Sequence, residues 1–228
     1  MTQVCNISWH EQQHPVIRQL SHQIEALWQR QLALQAYEIP NDLGYVEGLL
    51  EGERLMIENR CYQTAQFRKL HLELAKVGRH LDILHCVMFP HANFHLPIFG
   101  VDVVAGREFI SAAIVDLSPV SPNHTLPAEY ERSLQQLPVR NFAEPRKLPA
   151  WGTIFSKFCL FVRPATPAEE TAFLSQAIQY LSIHCQLAVQ ARTVVSNQAQ
   201  AAILAGQQQY CLQQRKNDKT RRILERAF

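Results

Sequence analysis

Residues 67–89 read Phe-Arg-Lys-Leu-His-Leu-Glu-Leu-Ala-Lys-Val-Gly-Arg-His-Leu-Asp-Ile-Leu-His-Cys-Val-Met-Phe, two apolar runs joined by Gly78-Arg79-His80. Whether the first run is helix or strand decides the fold. Leu70, Leu72 and Leu74 alternate as in a strand, yet Leu70, Leu74, Val77 and Leu81 fit one helical face equally well. As a strand, the run sends His71 and Glu73 to one face and the leucines to the other. A third run, Ile98–Ala105, follows a loop held between Pro90 and Pro97. Opposed residues of an antiparallel hairpin are symmetric about the centre of its turn. Glu73 and His85 are symmetric about Arg79, and His85 and Asp102 about the Asn93–Phe94 bond. In that register an acid, a base and a second acid stand side by side on three strands.

Working outward, Val16, Ile17, Leu20, Ile24, Leu27 and Trp28 predict an amphipathic helix over Gln12–Leu34, opened near Pro15. Pro40–Gly44 reads as a turn, followed by strands Tyr45–Leu50 and Leu55–Tyr62 around Glu51-Gly52-Glu53. Phe109–Leu117 is a further strand, Pro127–Leu137 a short helix, and Thr153–Val162 another strand. Helices are expected over Pro167–Ala191, Val195–Gln214 and Asp218–Phe228, the last capped by Asn217 or Asp218. Helix, antiparallel strands, then helices describe one α+β domain over residues 1–228, a sheet covered by helices.

The composition narrows the function. The 228 residues are 47% hydrophobic, enough to bury a sizeable core, and the formal charge of +2 gives no general attraction to nucleic acid. No apolar run is long enough to cross a bilayer, and the start lacks a secretory leader. The six cysteines are scattered, without a CxxC or Cys-His cluster, and read as free thiols of a reducing cytoplasm. The sequence has no GxGxxG, no GxxxxGK[ST] and no GxSxG, which argues against a Rossmann-bound nicotinamide or flavin, a P-loop and a nucleophile elbow. A redox enzyme with this sequence would bring no permanently bound cofactor of its own.

Three groups of residues could carry chemistry. Strands lie roughly 4.8 Å apart, so Glu73, His85 and Asp102 could share hydrogen bonds and shift one another's pKa. A carboxyl beside a histidine under an apolar ligand donates protons near neutrality; the same residues could instead be a self-satisfied polar pair in a sheet. His71, Glu73, His85, Asp102, His91 and His95 are ligand types in one stretch, but they match no metal signature. Arg146, Lys147, Arg215, Lys216, Lys219, Arg221 and Arg222 could clamp carboxylates or meet an acidic partner.

Longer blocks add a resemblance. Glu58–Gln63, Phe67–Gly78, Leu81–Pro90, Phe99–Gly106, Ser111–Pro119 and Lys216–Arg222 closely resemble, in order, the ferredoxin-dependent bilin reductases of cyanobacteria. The match runs from about Leu43 to the end, with a weaker N-terminal helix. It implies a three-layer α/β/α sandwich with a central antiparallel sheet, and so a strand at residues 67–77. It implies biliverdin bound between the sheet and the C-terminal helices, and its four-electron reduction to phycocyanobilin through bilin radicals. Electrons would come one at a time from reduced ferredoxin, in a soluble, cytoplasmic and monomeric enzyme without metal or flavin.

By the resemblance Glu73 donates a proton to the D-ring vinyl group, Asp102 is a buried acid that protonates the bilin and serves the A-ring step, and His85 is its partner. His71 and Asn217 match outer proton-delivery positions. Ser111, Arg146 and Lys219 match groups near the propionates. Ile83 and Val87 share the His85 face and should line the pocket, with Trp151 and Tyr210 close by. Members of the family usually continue past Arg221–Phe228 with another helical segment, so a shorter pocket wall is expected. Other readings are a bilin reductase of different regiochemistry, a bilin-binding protein without turnover, and a small metalloenzyme.

Overall fold

Residues 67–77 adopt the period of a strand, because only that period puts Leu70, Leu72 and Leu74 together on an apolar face. The structure, a computed structural model, describes residues 8–217. Its strands are β1 (Gln35–Ala36), β2 (Tyr45–Leu50), β3 (Glu53–Gln63), β4 (Phe67–Val77), β5 (Leu81–Pro90), β6 (Ile98–Ala105), β7 (Ile110–Ser118) and β8 (Leu160–Val162). The helices are α1 (Pro15–Gln31), α2 (Asn41–Gly44), α3 (Ala128–Gln135), α4 (Pro167–Gln190) and α5 (Asn197–Gln214). Each strand from β3 to β8 pairs antiparallel with the next, while β1 and β2 share the outer edge of β3. The β2–β3 hairpin turns at Glu51 and Gly52, both left-handed (φ 53° and 85°), the twist that a two-residue hairpin loop needs.

One face of the sheet carries the main core. Leu72, Leu84, Val101 and Val115 meet α1 through Leu20, Ile24 and Trp28, and α4 through Phe173, Leu181 and Cys185. Both helices start on designed stops. Pro15 opens α1, and the His14 ring accepts from the Val16 amide; Thr166 caps α4 through the Glu169 amide, with Pro167 at the first position. A buried ion pair, Lys76–Asp82 at 2.9 Å, ties the start of α1 to this face. Asp82 accepts from the His14 amide, and Lys76 donates to the Gln12 carbonyl.

Among the described residues, the opposite face is covered by α5 and the turn around Ile154. Ile203 and Tyr210 pack there against Val87, Ile98, Val120 and Ile154. Gln207 donates to the Pro90 carbonyl at 3.0 Å. The antiparallel sheet between helices is the expected α/β/α arrangement, with one correction. The C-terminal helices, expected together over a bilin, are divided between the layers: α4 packs into the main core and α5 lies on the opposite face.

A second correction concerns Thr153–Val162. Only Leu160–Val162 is a strand, and Gly152–Ile154 forms a 3-10 turn. The cause is Asp116, buried on β7. It accepts from the Ser156 amide (2.9 Å), the Ser156 hydroxyl (2.5 Å) and the Ser118 hydroxyl (2.7 Å). The two bonds from Ser156 fold the segment back against its β-propensity, and the bond from Ser118 steadies the carboxylate. The turn expected at Pro40–Gly44 contains the single helical turn α2. The helix expected at Asp218–Phe228 lies outside the described residues.

Gly206 lets α5 approach the segment that leaves β7, since a Cβ there would collide with the Val120 carbonyl oxygen. Gly206→Ala gains up to ~1 kcal/mol of helix propensity, but the collision is with backbone and cannot be relieved by a rotamer change. The substitution should lift α5. Hydrogen exchange is expected to quicken across residues 197–214 while β4–β6 keep their protection; unchanged exchange in α5 would contradict this packing.

Candidate active site

The turns fix the site. Glu73 is the Cα partner of His85, and His85 of Asp102, as the two symmetry centres require. On the outer side, Asn59 of β3 stands opposite Glu73 and extends the row to four strands. His85 Nδ1 and Asp102 Oδ1 lie 2.5 Å apart, a charge-assisted bond. Glu73 makes no side-chain hydrogen bond among the described residues. His71, one step along β4, holds Asn59 Oδ1 at 2.7 Å through Nε2, and its ring meets that of His85 edge-on at 6.1 Å.

The groups tune one another. Burial works against charge on His85, but the Asp102 carboxylate, by its charge and its hydrogen bond, and Glu73 behind it raise the imidazole to about 9. Burial pushes the Glu73 carboxyl up, and the Asp102 charge adds to this against the pull of His85. Burial also pushes His71 down to about 4, helped by the positive charges of Lys69 and His85. Near neutrality the site therefore holds a charged histidine and a neutral one, beside a carboxyl whose hold on its proton burial has strengthened. Asp102 is not the buried acid expected of it: its side chain keeps 40% of its surface exposed, and that of His85 keeps 34%.

Apolar groups flank the row along the strands. Leu55, Ile57, Ala75 and Val77 cluster at one end, with Leu81 and Ile83 against them. Val87, Ile98 and Tyr210 cluster at the other, with Phe89 and Trp151 against them. Ile83 and Val87 thus lie on either side of His85. The result is a polar line crossing a greasy stretch of sheet, open to solvent, and suited to a flat apolar ligand with polar atoms at its centre. A surface hollow of about 380 Å³ between the starts of α1 and α4 and the β6–β7 loop contains none of these residues. Chemistry, not cavity size, marks the site.

The other expected residues are less central. Tyr210 is buried, accepts from Gln214 at 3.1 Å, and lies against Gly100, two residues from Asp102. Ser111 donates to the Val104 carbonyl at 3.0 Å at the far end of β6. Arg146 is exposed beside β8, its amide bonded to Phe161, and Phe161 is two strands out from Asp102. Asn217 ends the tail of α5, its amide bonded to the Gln214 carbonyl. Lys219, Arg221 and Arg222 lie outside the described residues. Among the described residues, no three His, Cys, Asp or Glu side chains converge as a metal would need, His91 and His95 included.

The sequence reading missed Asn59 and Lys69. The same turn symmetry would have found Asn59, which mirrors Glu73 about Gln66. Lys69 lies on the row's face by the same two-residue alternation that puts His71 and Glu73 there; the bulge between Phe67 and Lys69 shifts only the Phe67 end of the strand.

Comparisons with known proteins give the chain's family and the likeness of its fold. A family model described as "Ferredoxin-dependent bilin reductase" matches residues 21–228. A phycocyanobilin:ferredoxin oxidoreductase of Trichodesmium erythraeum is 59% identical over 217 residues, 95% of this chain and 88% of its own. Its counterpart in Synechococcus elongatus is 56% identical over 229 aligned positions, covering 100% and 92%. Among solved structures, tomato phytochromobilin synthase in complex with biliverdin superposes with a TM-score of 0.67 at 14% identity, covering 85% of this chain and 70% of that one, a likeness of fold.

The His85–Asp102 pair also predicts a pH dependence. Its folded pKa of about 9 lies above the usual 6.5 of histidine, so its stabilisation is complete below 6.5 and is lost as pH rises through about 9. The melting-temperature advantage of the wild type over His85→Gln should therefore shrink between about pH 6 and about pH 10. A constant difference across that window would refute the raised pKa.

Proposed function

The chain belongs to the ferredoxin-dependent bilin reductases, and on that premise we propose that it converts biliverdin to phycocyanobilin by a four-electron reduction. As a member of the family it is an oxidoreductase acting on bilins, with ferredoxin as electron donor. In our reading the electrons arrive singly from reduced ferredoxin, the bilin passes through radical states, and the row supplies the protons. Each of the two double bonds reduced takes up two electrons and two protons. The tetrapyrrole is itself the redox-active group, so the protein's task is binding, orientation and proton supply.

The observation that carries this reading is the unequal state of three neighbouring groups. Glu73 has a raised pKa and no side-chain hydrogen-bond partner among the described residues, so a proton it takes up is committed to no other protein group. We assign it to the D-ring vinyl group, reduced first. Asp102 and His85 share a short bond with the proton held by the histidine; we assign them to protonation of the bilin at the ring lactams and to the A-ring step. His71, driven neutral, suits the role of acceptor and relay better than that of a reservoir. Arg146, with Lys219 and Ser111, is assigned to the propionates.

Biliverdin incubated with the protein and a reduced ferredoxin system should yield phycocyanobilin by product chromatography; the absence of any new bilin would overturn the proposal. A product reduced at other positions would indicate a sister activity, and spectral binding without turnover a bilin carrier. Glu73→Gln should keep pigment binding within about twofold and slow the D-ring step by roughly 10²–10⁴-fold, the usual contribution of a positioned proton donor. Loss of binding in that variant would count against the role. Asp102→Asn should be the most damaging single change, because it removes one proton carrier and the charge that holds up His85. Its His85 ring should titrate well below the wild-type value by nuclear magnetic resonance; an unchanged titration would contradict the coupling.

A further inference from the structure

Asn59 carries a constraint that the row alone does not reveal. Its side-chain amide is held at both ends: Nδ2 stands 2.8 Å from the Leu43 carbonyl oxygen and Oδ1 stands 2.7 Å from His71 Nε2. The Leu43 carbonyl only accepts, so the group facing it is the NH₂ of Asn59, which settles the orientation of the amide. The oxygen left facing His71 also only accepts. His71 Nε2 must therefore carry a hydrogen. Because burial and the charges of Lys69 and His85 keep the ring neutral, its second nitrogen, Nδ1, carries none.

We propose that Asn59 is a positioning residue of the proton-supplying row, locking His71 as the Nε2–H tautomer so that Nδ1 is the ring's single acceptor. The inference rests on the proton-supplying role assigned to the row above. Asn59 is the register partner of Glu73 and the hydrogen-bond partner of His71, so one amide fixes the geometry between the two. With Nε2–H committed to Asn59, His71 exchanges protons with its surroundings only at Nδ1. A water or carboxylic O–H beside Glu73 finds a fixed acceptor there. The opposite tautomer would offer a second donor and set a lone pair against the lone pairs of Asn59. The anchor reaches back to α2, whose Leu43 supplies the carbonyl.

The tautomer can be read in the wild-type protein without turnover. In ¹⁵N-labelled, substrate-free protein at neutral pH, His71 should show a protonated Nε2 and a bare Nδ1; a protonated Nδ1 overturns the proposal whatever the enzyme's activity. Asn59→Leu keeps the volume and removes both bonds. It should give a mixed tautomer at His71 and slow the first two-electron step roughly tenfold, less than the 10²–10⁴ of a proton donor itself. Biliverdin affinity should stay within about twofold. Asn59→Asp sets a carboxylate against Nε2, as Asp102 sets one against the His85 ring, and should raise the His71 pKa with the hydrogen kept on Nε2; a bare Nε2 in that variant counts against the proposal. If Asn59→Leu does not fold, the wild-type spectrum still decides. Absence of bilin reduction by the wild type would sink the proposed function while leaving the tautomer result intact, so the two failures are distinguishable.

Discussion

Leu72, Leu84 and Val101 are pressed against α1 and α4, and that contact decides where Glu73, His85 and Asp102 point. Successive side chains of a strand face opposite ways, so burying the even-numbered residues of β4 and β5 and their odd-numbered partners on β6 turns the three polar residues to the other side. A slip of one residue would exchange the faces, burying two acids and a histidine in the main core. Such charges cost several kcal/mol each unless paired, far more than turn preferences alone supply. The hydrophobic layer thus fixes the register, and the register builds the site. The polar row costs little because it lies on the face that α5 covers only in part.

That half-open position shapes the electrostatics. Asp102 and His85 keep a third or more of their side-chain surface in water, and still the histidine is raised to about 9 by a carboxylate at hydrogen-bond distance. A flat, largely apolar ligand laid on the row displaces that water. Displacement strengthens the charge pair and penalises every unpaired charge, pushing Glu73 further towards its acid form. Binding and proton loading are coupled in one direction: the ligand that needs the proton helps to hold it on the donor. No metal is required for this coupling, only two carboxyls unequal in their partners.

Much of this was legible in the sequence because it rests on local rules. The centres at Arg79 and at the Asn93–Phe94 bond follow from chain geometry, and both registers stand as expected. Residues 67–77 were ambiguous between two periods, and only the family resemblance resolved them as a strand. What escaped depends on distant contacts. The segment Thr153–Val162 has strand composition, but a single carboxylate 40 residues earlier, Asp116, folds most of it into a turn. The exposure of Asp102 and the placing of α4 on the far layer depend on which helix covers which face, and neither residue type nor spacing records that. Lys69, by contrast, was within reach of the pattern, since it shares the face of His71 and Glu73 by strand alternation; the one-residue bulge displaces only Phe67.

The two C-terminal helices show why the site lies on one face and not the other. In α4, Phe173, Leu174, Ala177, Leu181, Cys185 and Ala188 form a long apolar stripe, sealed over Phe99 and its neighbours. In α5 only Ile203, Gln207 and Tyr210 are buried, and Gln207 spends its amide on the Pro90 carbonyl and the Arg68 side chain. A helix held by three side chains and one backbone approach at Gly206 covers the end of the row face near Val120 and Pro90 and leaves the middle free. A second stripe like that of α4 would have closed the sheet into a core, and Glu73, His85 and Asp102 would then have been buried charges with nothing to protonate. The weak amphipathicity of α5 is therefore part of the site's chemistry: a thin cover keeps an acid, a base and a relay within reach of a ligand.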